Sequence, residues 1–288
     1  MRNFIITTDS TADLPKDYIK EHKIALHPLC YVIDDITYGD GVNELSPKDF
    51  YQAMRDGKVP TTNASNPEFI TNLMEQEVCN GYDILHISFS SALSSSYNNA
   101  CICANQVMED HPEATILVVD SRAATLGQGL LVIKAIELKE EGKSLQEVAD
   151  WITENRGNCV HEFTVDDLFH LHRGGRVSKS TAVVGSIINI KPILHVNDKG
   201  ELIPLTKVRG RKKVLSTFVN DMKEKTKDCP TDTALITHAD CIEDANTLAN
   251  LLREEVGVTN ILIEDMCPTI GAHTGPGALA LFYMGSHR

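Results

Sequence analysis

The chain has 288 residues, of which 42% are hydrophobic, enough for one large core or two ordinary ones. Its formal net charge of −13 excludes non-specific nucleic-acid binding, which needs a basic surface. Because no apolar run reaches the roughly 18 residues of a membrane-spanning helix, we expect a cytoplasmic protein with no stable membrane insertion.

Strands alternate with helices along the first half of the chain. Short apolar runs predict strands at residues 4–7, 25–33, 84–87 and 116–119. Helical spacing of apolar residues predicts helices at 46–54, from Pro67 onward, at 97–108, at 126–141 and at 144–154, and Gly127-Gln128-Gly129 inside one of them indicates close packing. Such alternation is typical of an α/β fold in which a mainly parallel sheet lies between helices.

Polar clusters follow three of these strands at the point where each strand ends. Asp9-Ser10 follows the first strand, Ser88–Ser96 follows residues 84–87, and Asp120-Ser121 follows residues 116–119. Because ligands of parallel sheets bind beyond the carboxyl ends of the strands, we expect all three clusters at one edge.

The hydroxyl-rich segment Ser94-Ser95-Ser96 marks a strand-to-helix turn. The free N–H groups of a first helical turn, together with the positive end of the helix dipole, favour an anion there. One serine is also expected simply as the N-cap of the helix. Both interpretations, an anion site and ordinary capping, remain open at this point.

The second half begins after Gly157, which divides the chain into a domain at 1–157 and a domain at 158–288. This half opens with residues 159–164, and long apolar runs lie at 187–196, interrupted by Lys191-Pro192, and at 278–284. A hairpin-type turn leads into 202–205, strands are predicted at 233–237 and 260–263, and helices at 166–172, 214–225 and 242–255. The densest basic run, Lys207–Lys213, is either a solvated face or a docking patch for an acidic partner.

Sequence motifs typical of enzymes are incomplete or absent in this chain. Ser94 and His273 would suit a serine hydrolase, but the G-x-S-x-G elbow is absent, because Ala92 and Ser96 flank Ser94. No Walker or dinucleotide glycine motif is present, and Arg173–Arg176 suits a phosphate grip and an exposed turn equally. No cysteine or histidine pair has the spacing of a metal site, so we predict no metal and no cofactor. For His86, in a strand, a satisfied core or surface role is favoured.

Several segments in order along nearly the whole chain resemble the signature blocks of the DegV family. These segments are Asp9–Leu14, Pro60–Thr62, Leu93–Tyr97, Gly174–Arg176, Ile190–Leu194, Lys207–Lys213 and Gly271–Gly277. The resemblance implies two α/β domains, the second with a mixed sheet, and a long-chain fatty acid held between them. It also implies that the protein is not itself an enzyme: it presents the fatty-acid carboxylate to a separate ATP-binding kinase subunit, which forms an acyl phosphate for phospholipid synthesis. We expect a monomer.

The resemblance also assigns roles to residues. The carboxylate would be held by Thr62, Ser94, Ser95, His273 and Thr274. The kinase subunit would contact Arg176, Lys207, Arg209 and Arg211. Candidates for lining the acyl chain, or alternatively for the ordinary core of the second domain, are Phe163, Phe169, Ile187, Ile188, Ile190, Ile193, Met266 and Ile270.

Two departures from the family pattern bear on the carboxylate site. The family often has Leu-Ser-Gly-Thr-Tyr where this chain has Ser95 and Ser96 at the third and fourth positions, and Thr-Ser-Gln-Pro where it has Thr62–Ser65. We expect Ser95 to narrow the site or constrain its backbone, and the second loop to be shaped differently. A site of hydroxyls and amide N–H groups could hold a carboxylate without a salt bridge.

Three function classes follow from these observations. The first is a fatty-acid carrier, the second is a serine hydrolase of acyl esters using Ser94 and His273, and the third is a pure interaction protein. An open tunnel between the two halves favours the carrier, and a solid interior would favour the interaction protein.

Overall fold

A computed structural model describes residues 2–39, 41–179 and 189–288. Its strands are β1 Asn3–Asp9, β2 Ala25–His27, β3 Tyr31–Ile33, β4 Ile36–Tyr38, β5 Thr61–Thr62, β6 Tyr82–Ser88, β7 Ile116–Asp120, β8 Cys159–Thr164, β9 Ile190–Val196, β10 Leu202–Arg209, β11 Thr233–His238, β12 Asn260–Asp265 and β13 Leu279–Met284. Its helices are α1 Lys16–Glu21, α2 Pro47–Arg55, α3 Pro67–Cys79, α4 Ser96–Asp110, α5 Leu126–Glu140, α6 Leu145–Asn155, α7 Leu168–Arg173, α8 Arg211–Lys225, α9 Ile242–Glu255 and α10 Pro268–Thr274.

The first sheet is fully parallel, with the order β2–β1–β6–β7. Helices α3 and α4 cover one face, where Ile70, Met74 and Val107 bury the side chain of Ile84. Helices α5 and α6 cover the other face through side chains such as Leu131. The predicted α/β sandwich is therefore confirmed.

The segment between β2 and α2 differs from its prediction. Residues 25–33 were expected as one strand broken at Pro28, and they form β2 in the parallel sheet and β3 in a separate small sheet. Residues 34–45, where the sequence predicted no strand, contain β4, which pairs with β3. Proline lacks the N–H of a sheet ladder, so the chain leaves the first sheet there and starts a hairpin.

The second sheet is mixed, with the order β10–β9–β8–β13–β11–β12 and parallel pairing only between β11 and β12 among the described strands. Helices α8 and α9 cover one face, where Phe218 and Leu248 pack on Ile236. This agrees with the mixed α/β second half that the family resemblance implies.

Helix α5 lies between the two sheets. It packs on β1 and β6 on one side and on β8, β11 and β13 on the other. The close approach needs a glycine, because a Cβ at Gly127 would overlap the imidazole of His161. The sheets divide at the predicted boundary near residue 157, but the largest core cluster runs across it, from Phe4 to Phe282. The division into two domains stays a prediction.

Within the described ranges, no helix combines the length and the apolar character needed to cross a bilayer.

Candidate functional site

The polar clusters that follow the parallel strands meet at one edge of the first sheet. The Asp9 carboxylate at the end of β1 accepts hydrogen bonds from the backbone N–H of Phe89 at 2.6 Å and from the Ser88 hydroxyl at 3.2 Å. At the end of β7, Asp120 accepts from the Ser91 hydroxyl at 2.6 Å. The prediction of a shared edge is confirmed, and these bonds order the turn that leads into α4.

A cavity of about 190 Å³ opens between this edge and the inner face of the second sheet. Most of its wall is apolar and comes from both halves of the chain: Leu29, Phe89, Leu93, Phe163, Leu171, Val196, Leu202, Met266, Ile270, Ala280 and Phe282. Apolar cavities of about 150 Å³ stay dry and take up apolar molecules. The space between the two sheets is therefore an open, mostly apolar cavity. A solid interior, which would have favoured a pure interaction protein, is not observed there.

The hydroxyl and imidazole groups predicted for the carboxylate site all line this cavity. They are Thr62, Ser94, Ser95, His273 and Thr274. Ser94 and Ser95 precede the first turn of α4, Thr62 lies in β5, and the other two lie at the end of α10. Segments more than 200 residues apart in sequence thus converge, as shown by the Thr62–His273 separation of 211 residues.

The imidazole of His273 is fixed against β5. Its Nε2 lies 2.8 Å from the Thr62 hydroxyl. Its Nδ1 faces Gly174, where a Cβ would overlap the ring. Burial, with a smaller contribution from the charge of Arg176, lowers the pKa of His273 to about 4, so the ring is neutral near pH 7. The neutral ring therefore fixes the position of the Thr62 hydroxyl at the cavity wall.

The serine turn is organised as a helix start. The Ser94 hydroxyl lies 2.9 Å from that of Ser96 and accepts from the Ser96 N–H at 3.2 Å. The first N–H groups of α4 lack intrahelical acceptors, and they lie beside the cavity wall at Ser94 and Ser95. Capping and an anion-attracting helix end therefore coexist in one turn.

The two departures from the family pattern have simple structural consequences. Ser95 has φ −74° and ψ 0°, which any L-residue adopts, so the expected backbone constraint from replacing glycine is absent at this described residue. In the other loop, the Ser65 N–H donates to the Ser96 hydroxyl at 3.3 Å, and the Asn99 amide donates to the Ser65 carbonyl at 3.1 Å. The loop is thereby tied to the serine turn.

Arg176 is the main surprise at the polar end of the cavity. Its side chain lines the cavity, and its guanidinium donates to the Leu93 carbonyl at 3.1 Å and to the Gly174 carbonyl. Burial lowers the pKa of Arg176, yet guanidinium stays charged in proteins. The expectation of a site without a cation is therefore corrected.

The predicted acyl-lining set is only partly right. Phe163, Met266 and Ile270 line the cavity. Phe169 does not, because it is 40% exposed, and Ile193 is buried in the separate core under α8 and α9. Ile190 is also absent from the described wall, and Ile187 and Ile188 lie outside the described residues. In the described part of β9 it is Val196, nearer its end, that lines the cavity.

Sequence reasoning missed much of the wall from the first half. Leu29, Phe89 and Leu93 gave no periodic signal because they lie in turns. Thr125 lines the cavity with φ +48°, a conformation that L-residues rarely adopt and that occurs often at binding sites. Only the position of these residues after β2, β6 and β7, at the ligand-binding edge, could have indicated them.

The basic run is split between two environments. Lys207 and Arg209 are exposed on β10. Arg211 begins α8, where its Nε donates to Asp244 at 2.7 Å and its Nη2 donates to the Gly277 carbonyl at 2.9 Å. Arg211 is therefore held within the protein, whereas Lys207 and Arg209 lie in the exposed part of β10.

Comparisons with known proteins agree with this architecture. A family model described as an uncharacterised protein of the DegV family matches residues 3–286. A DegV domain-containing protein of Clostridium perfringens is 44% identical over 286 residues, covering 99% of this chain and 98% of the relative.

Two solved structures are similar over the whole chain. A DegV family protein from Thermus thermophilus, described by its fatty acid binding, has a TM-score of 0.87 and 26% identity and covers 99% of this chain and 100% of its own. DegV of Bacillus subtilis, described as a fatty acid binding protein, has a TM-score of 0.85 and 32% identity and covers 98% and 99%. The chain belongs to the DegV family.

Proposed function

We propose that this protein binds a long-chain fatty acid and presents its carboxylate to a separate ATP-binding kinase subunit. The observation that carries the proposal is the cavity itself, which is apolar along most of its wall and polar at one end. The fatty-acid binding described for the relatives from Thermus thermophilus and Bacillus subtilis supports the same ligand class.

The polar end suits a carboxylate. Burying an ionised carboxylate is costly unless its oxygens accept several hydrogen bonds. Ser94 and Thr62 offer hydroxyls, neutral His273 holds the Thr62 hydroxyl in place through Nε2, and the start of α4 offers backbone N–H groups. The Thr274 hydroxyl is nearby but already points to Met266 Sδ at 3.2 Å, so we assign it a smaller part.

Arg176 adds a positive charge at this end. Its guanidinium is anchored by the Leu93 carbonyl, which belongs to the turn carrying Ser94. It therefore attracts the carboxylate while staying fixed to the serine turn. Because it also lies in the wall, the same residue can face a docked partner, which keeps its proposed role at the kinase interface.

The apolar wall supplies the affinity. Each buried methylene contributes about 0.8 kcal/mol, so a sixteen-carbon chain gains about 11 kcal/mol before the cost of ordering. The polar end then has to orient the carboxylate more than to hold it. Exposed Lys207 and Arg209 would provide the rest of the surface for the acidic face of a kinase subunit, and Arg211 would shape it from within its ion pair with Asp244.

The hydrolase alternative lacks its catalytic geometry. A triad needs a histidine that is bonded to the nucleophile and oriented by an acid. Nε2 of His273 pairs with Thr62, and no carboxylate among residues 2–39, 41–179 and 189–288 is hydrogen-bonded to its Nδ1. The Ser94 hydroxyl pairs with Ser96 instead. Nothing in this arrangement favours hydrolysis.

Organic extraction of the purified protein followed by mass spectrometry tests the ligand. We expect about one free fatty acid per chain of the wild type. In Ser94→Ala the affinity for the fatty acid should fall roughly tenfold, because losing one hydrogen bond to the carboxylate costs about 1.4 kcal/mol of binding free energy. Ser91→Ala is the matched control, because that hydroxyl bonds Asp120 rather than facing the cavity. Hydrolysis of an acyl ester by the protein alone would contradict the proposal that it is a fatty-acid carrier.

Presentation to a kinase is tested with a fatty acid kinase subunit, ATP and the loaded protein. We expect acyl phosphate only when both proteins are present. Lys207→Glu together with Arg209→Glu should keep the fatty acid and lose most of the phosphorylation. Lys20→Glu together with Lys227→Glu, at two exposed lysines elsewhere, is the charge-matched control. Full phosphorylation by the double variant would remove this surface from the interface.

A further inference from the structure

Three side chains of metal-binding type meet on one face of the parallel sheet, away from the cavity wall. Asp9 ends β1, His27 ends β2 and His86 lies in β6. In the sheet register Asp9 is opposite His27, and Thr7 is opposite His86. Because Thr7 and Asp9 point to the same face, the three side chains share it. All three are buried, with at most 1% exposed.

One nitrogen or oxygen atom from each residue lies within 4.8 Å of the other two. His86 Nε2 and Asp9 Oδ1 are 3.7 Å apart. The two imidazoles stack with ring centroids 4.0 Å apart and an interplanar angle of 14°. The sequence offers no hint of this group, because the residues lie far apart along the chain and only strand pairing joins them.

The atoms that face one another lack partners. Asp9 Oδ1, His86 Nε2 and both ring nitrogens of His27 are buried without a hydrogen bond from any residue in the described parts of the chain. Buried polar atoms are normally paired, and leaving one unpaired costs about 1–3 kcal/mol. Several such atoms within 4.8 Å of one another indicate that something else satisfies them.

The atoms on the far sides of the same groups are, by contrast, well held. His86 Nδ1 lies 2.9 Å from the Thr7 hydroxyl. Asp9 Oδ2 accepts from the Phe89 N–H, the Ser88 hydroxyl and the Gln128 amide at 2.6–3.2 Å. Metal-binding histidines and carboxylates are oriented by outer partners of this kind, which leave the inner atom free for the ion.

We propose that Asp9, His27 and His86 form a buried binding site for one divalent transition-metal ion, with Zn²⁺ as the best-fitting ion. Two imidazoles and one carboxylate make a donor set that suits zinc, whereas calcium and magnesium prefer oxygen donors alone. Remaining coordination positions would be filled by water or by a ligand atom. The site is distinct from the cavity that holds the proposed fatty acid.

The electrostatics favour an ion. Asp9 is buried with 1% exposure, and a buried carboxylate is costly unless a positive charge lies beside it, which a bound cation would supply. His22, Asp34 and the other charged groups in the described residues form no ion pair with the three ligands, beyond the Asp9–His86 contact itself.

Binding requires a small movement. Zinc holds nitrogen and oxygen donors at about 2.0–2.2 Å, so its ligands lie within about 4 Å of one another. A ring coordinates through a lone pair in its own plane, so one imidazole must tilt out of the stack. His27 can do so, because neither of its nitrogens is held by a described residue.

The test begins with the full-length protein, stripped with a chelator and titrated with Zn²⁺ against a chromogenic competitor. We expect one equivalent bound. Asp9→Asn and His86→Gln should weaken binding at least about 100-fold, and Thr7→Val, which removes only the outer partner of His86, about tenfold. His111→Gln is the control, because this partly exposed histidine beside Glu113 represents surface binding. Equal affinity in wild type and in Asp9→Asn would overturn the proposal.

X-ray absorption of the zinc-loaded wild type tests the same site without requiring any variant to fold. We expect two imidazole nitrogens and one or more oxygens at about 2.0–2.2 Å from the ion. A spectrum with one imidazole or none, or failure to bind a stoichiometric ion, would show that the three groups do not form a metal site. Neither result bears on fatty-acid extraction, so the two proposals fail separately.

Discussion

Two polar groups lie at the same edge of the first sheet, and they differ in what surrounds them. The open group, Ser94 with Thr62 and His273, lines the cavity. The sealed group, Asp9 with His27 and His86, has no more than 1% exposure at any member. An open group can exchange partners with a ligand at little cost, whereas a sealed group must be satisfied internally or by an ion. We therefore expect side chains of the open group to govern fatty-acid binding, and those of the sealed group to govern stability.

The largest effect is expected at the sealed group. Asp9→Ala removes the carboxylate that accepts hydrogen bonds from Ser88, Phe89 and Gln128. Because each buried donor left unpaired costs about 1–3 kcal/mol, we expect the free energy of unfolding to fall by about 3 kcal/mol or more. Denaturant melts measure it. Asp120→Ala is the control, because its carboxylate accepts from the Ser91 hydroxyl at the end of β7 but is not fully buried, and this change should cost about 1 kcal/mol. Equal losses of unfolding free energy in the two variants would show that burial does not set the sealed group apart.

Gly174→Ala should affect the open group in both respects. A methyl group there overlaps His273, so the imidazole must leave Thr62 or the helix end must move, at about 1–3 kcal/mol. We expect loss of fatty-acid retention together with a lower melting temperature. Gly175→Ala, next to it but with open space around its Cβ, should show the backbone strain of φ +77° without losing the ligand. Normal retention in Gly174→Ala would mean that His273 is not needed in its present place.

The pH dependence of folding stability also distinguishes the sealed group from the open group. The pKa of His86 is about 3 in the folded chain and near 6.5 when unfolded, so protonation favours unfolding. Its stabilising contribution is complete above about pH 6.5 and is lost as pH falls toward 3, at about 1.4 kcal/mol per pH unit. His273, with a folded pKa of about 4, loses its contribution over the narrower window from about 6.5 to 4.

Metal-free protein melted between pH 7 and pH 4 measures this slope. His86→Gln should reduce the slope by the share of one titrating group, because His27 keeps its own lowered pKa, and His111→Gln should leave the slope unchanged. A slope that is the same in wild type and His86→Gln would show that the sealed group does not govern acid sensitivity.

The smallest effect is expected from restoring the family glycine. Ser95→Gly removes a side chain at a helix N-cap in an ordinary helical conformation, which costs a few tenths of a kcal/mol. Fatty-acid retention should stay at the wild-type level, because the backbone needs no positive φ there. A clear gain in retention would show instead that the Ser95 side chain narrows the polar end.

Local pattern predicted the elements well where one signal dominated. The strand at Ile84 and the helix that follows Ser94 were both expected, since period-two and helical spacings change within one short segment. The strand at 25–33 was predicted with a break at Pro28, and the break is confirmed. The apolar run did not show that the strands on its two sides belong to separate sheets. The wall residues Phe169 and Ile193 were wrong for a related reason: apolar character alone does not tell which layer a side chain enters.

The amino-acid sequence by itself determined the alternation of strands and helices, the hydroxyl-rich turn at an anion-attracting helix end, and the family blocks that indicated the polar end of the cavity. Only the tertiary structure decided that Arg176 belongs to the cavity wall, that Leu29 and Phe282 face the same space, and that Asp9, His27 and His86 meet. The two kinds of information differ in the distance along the chain over which they act. Backbone propensity and side-chain periodicity act within a few residues, whereas a cavity or a cluster of ligand atoms depends on strand register and on how two sheets pack around α5.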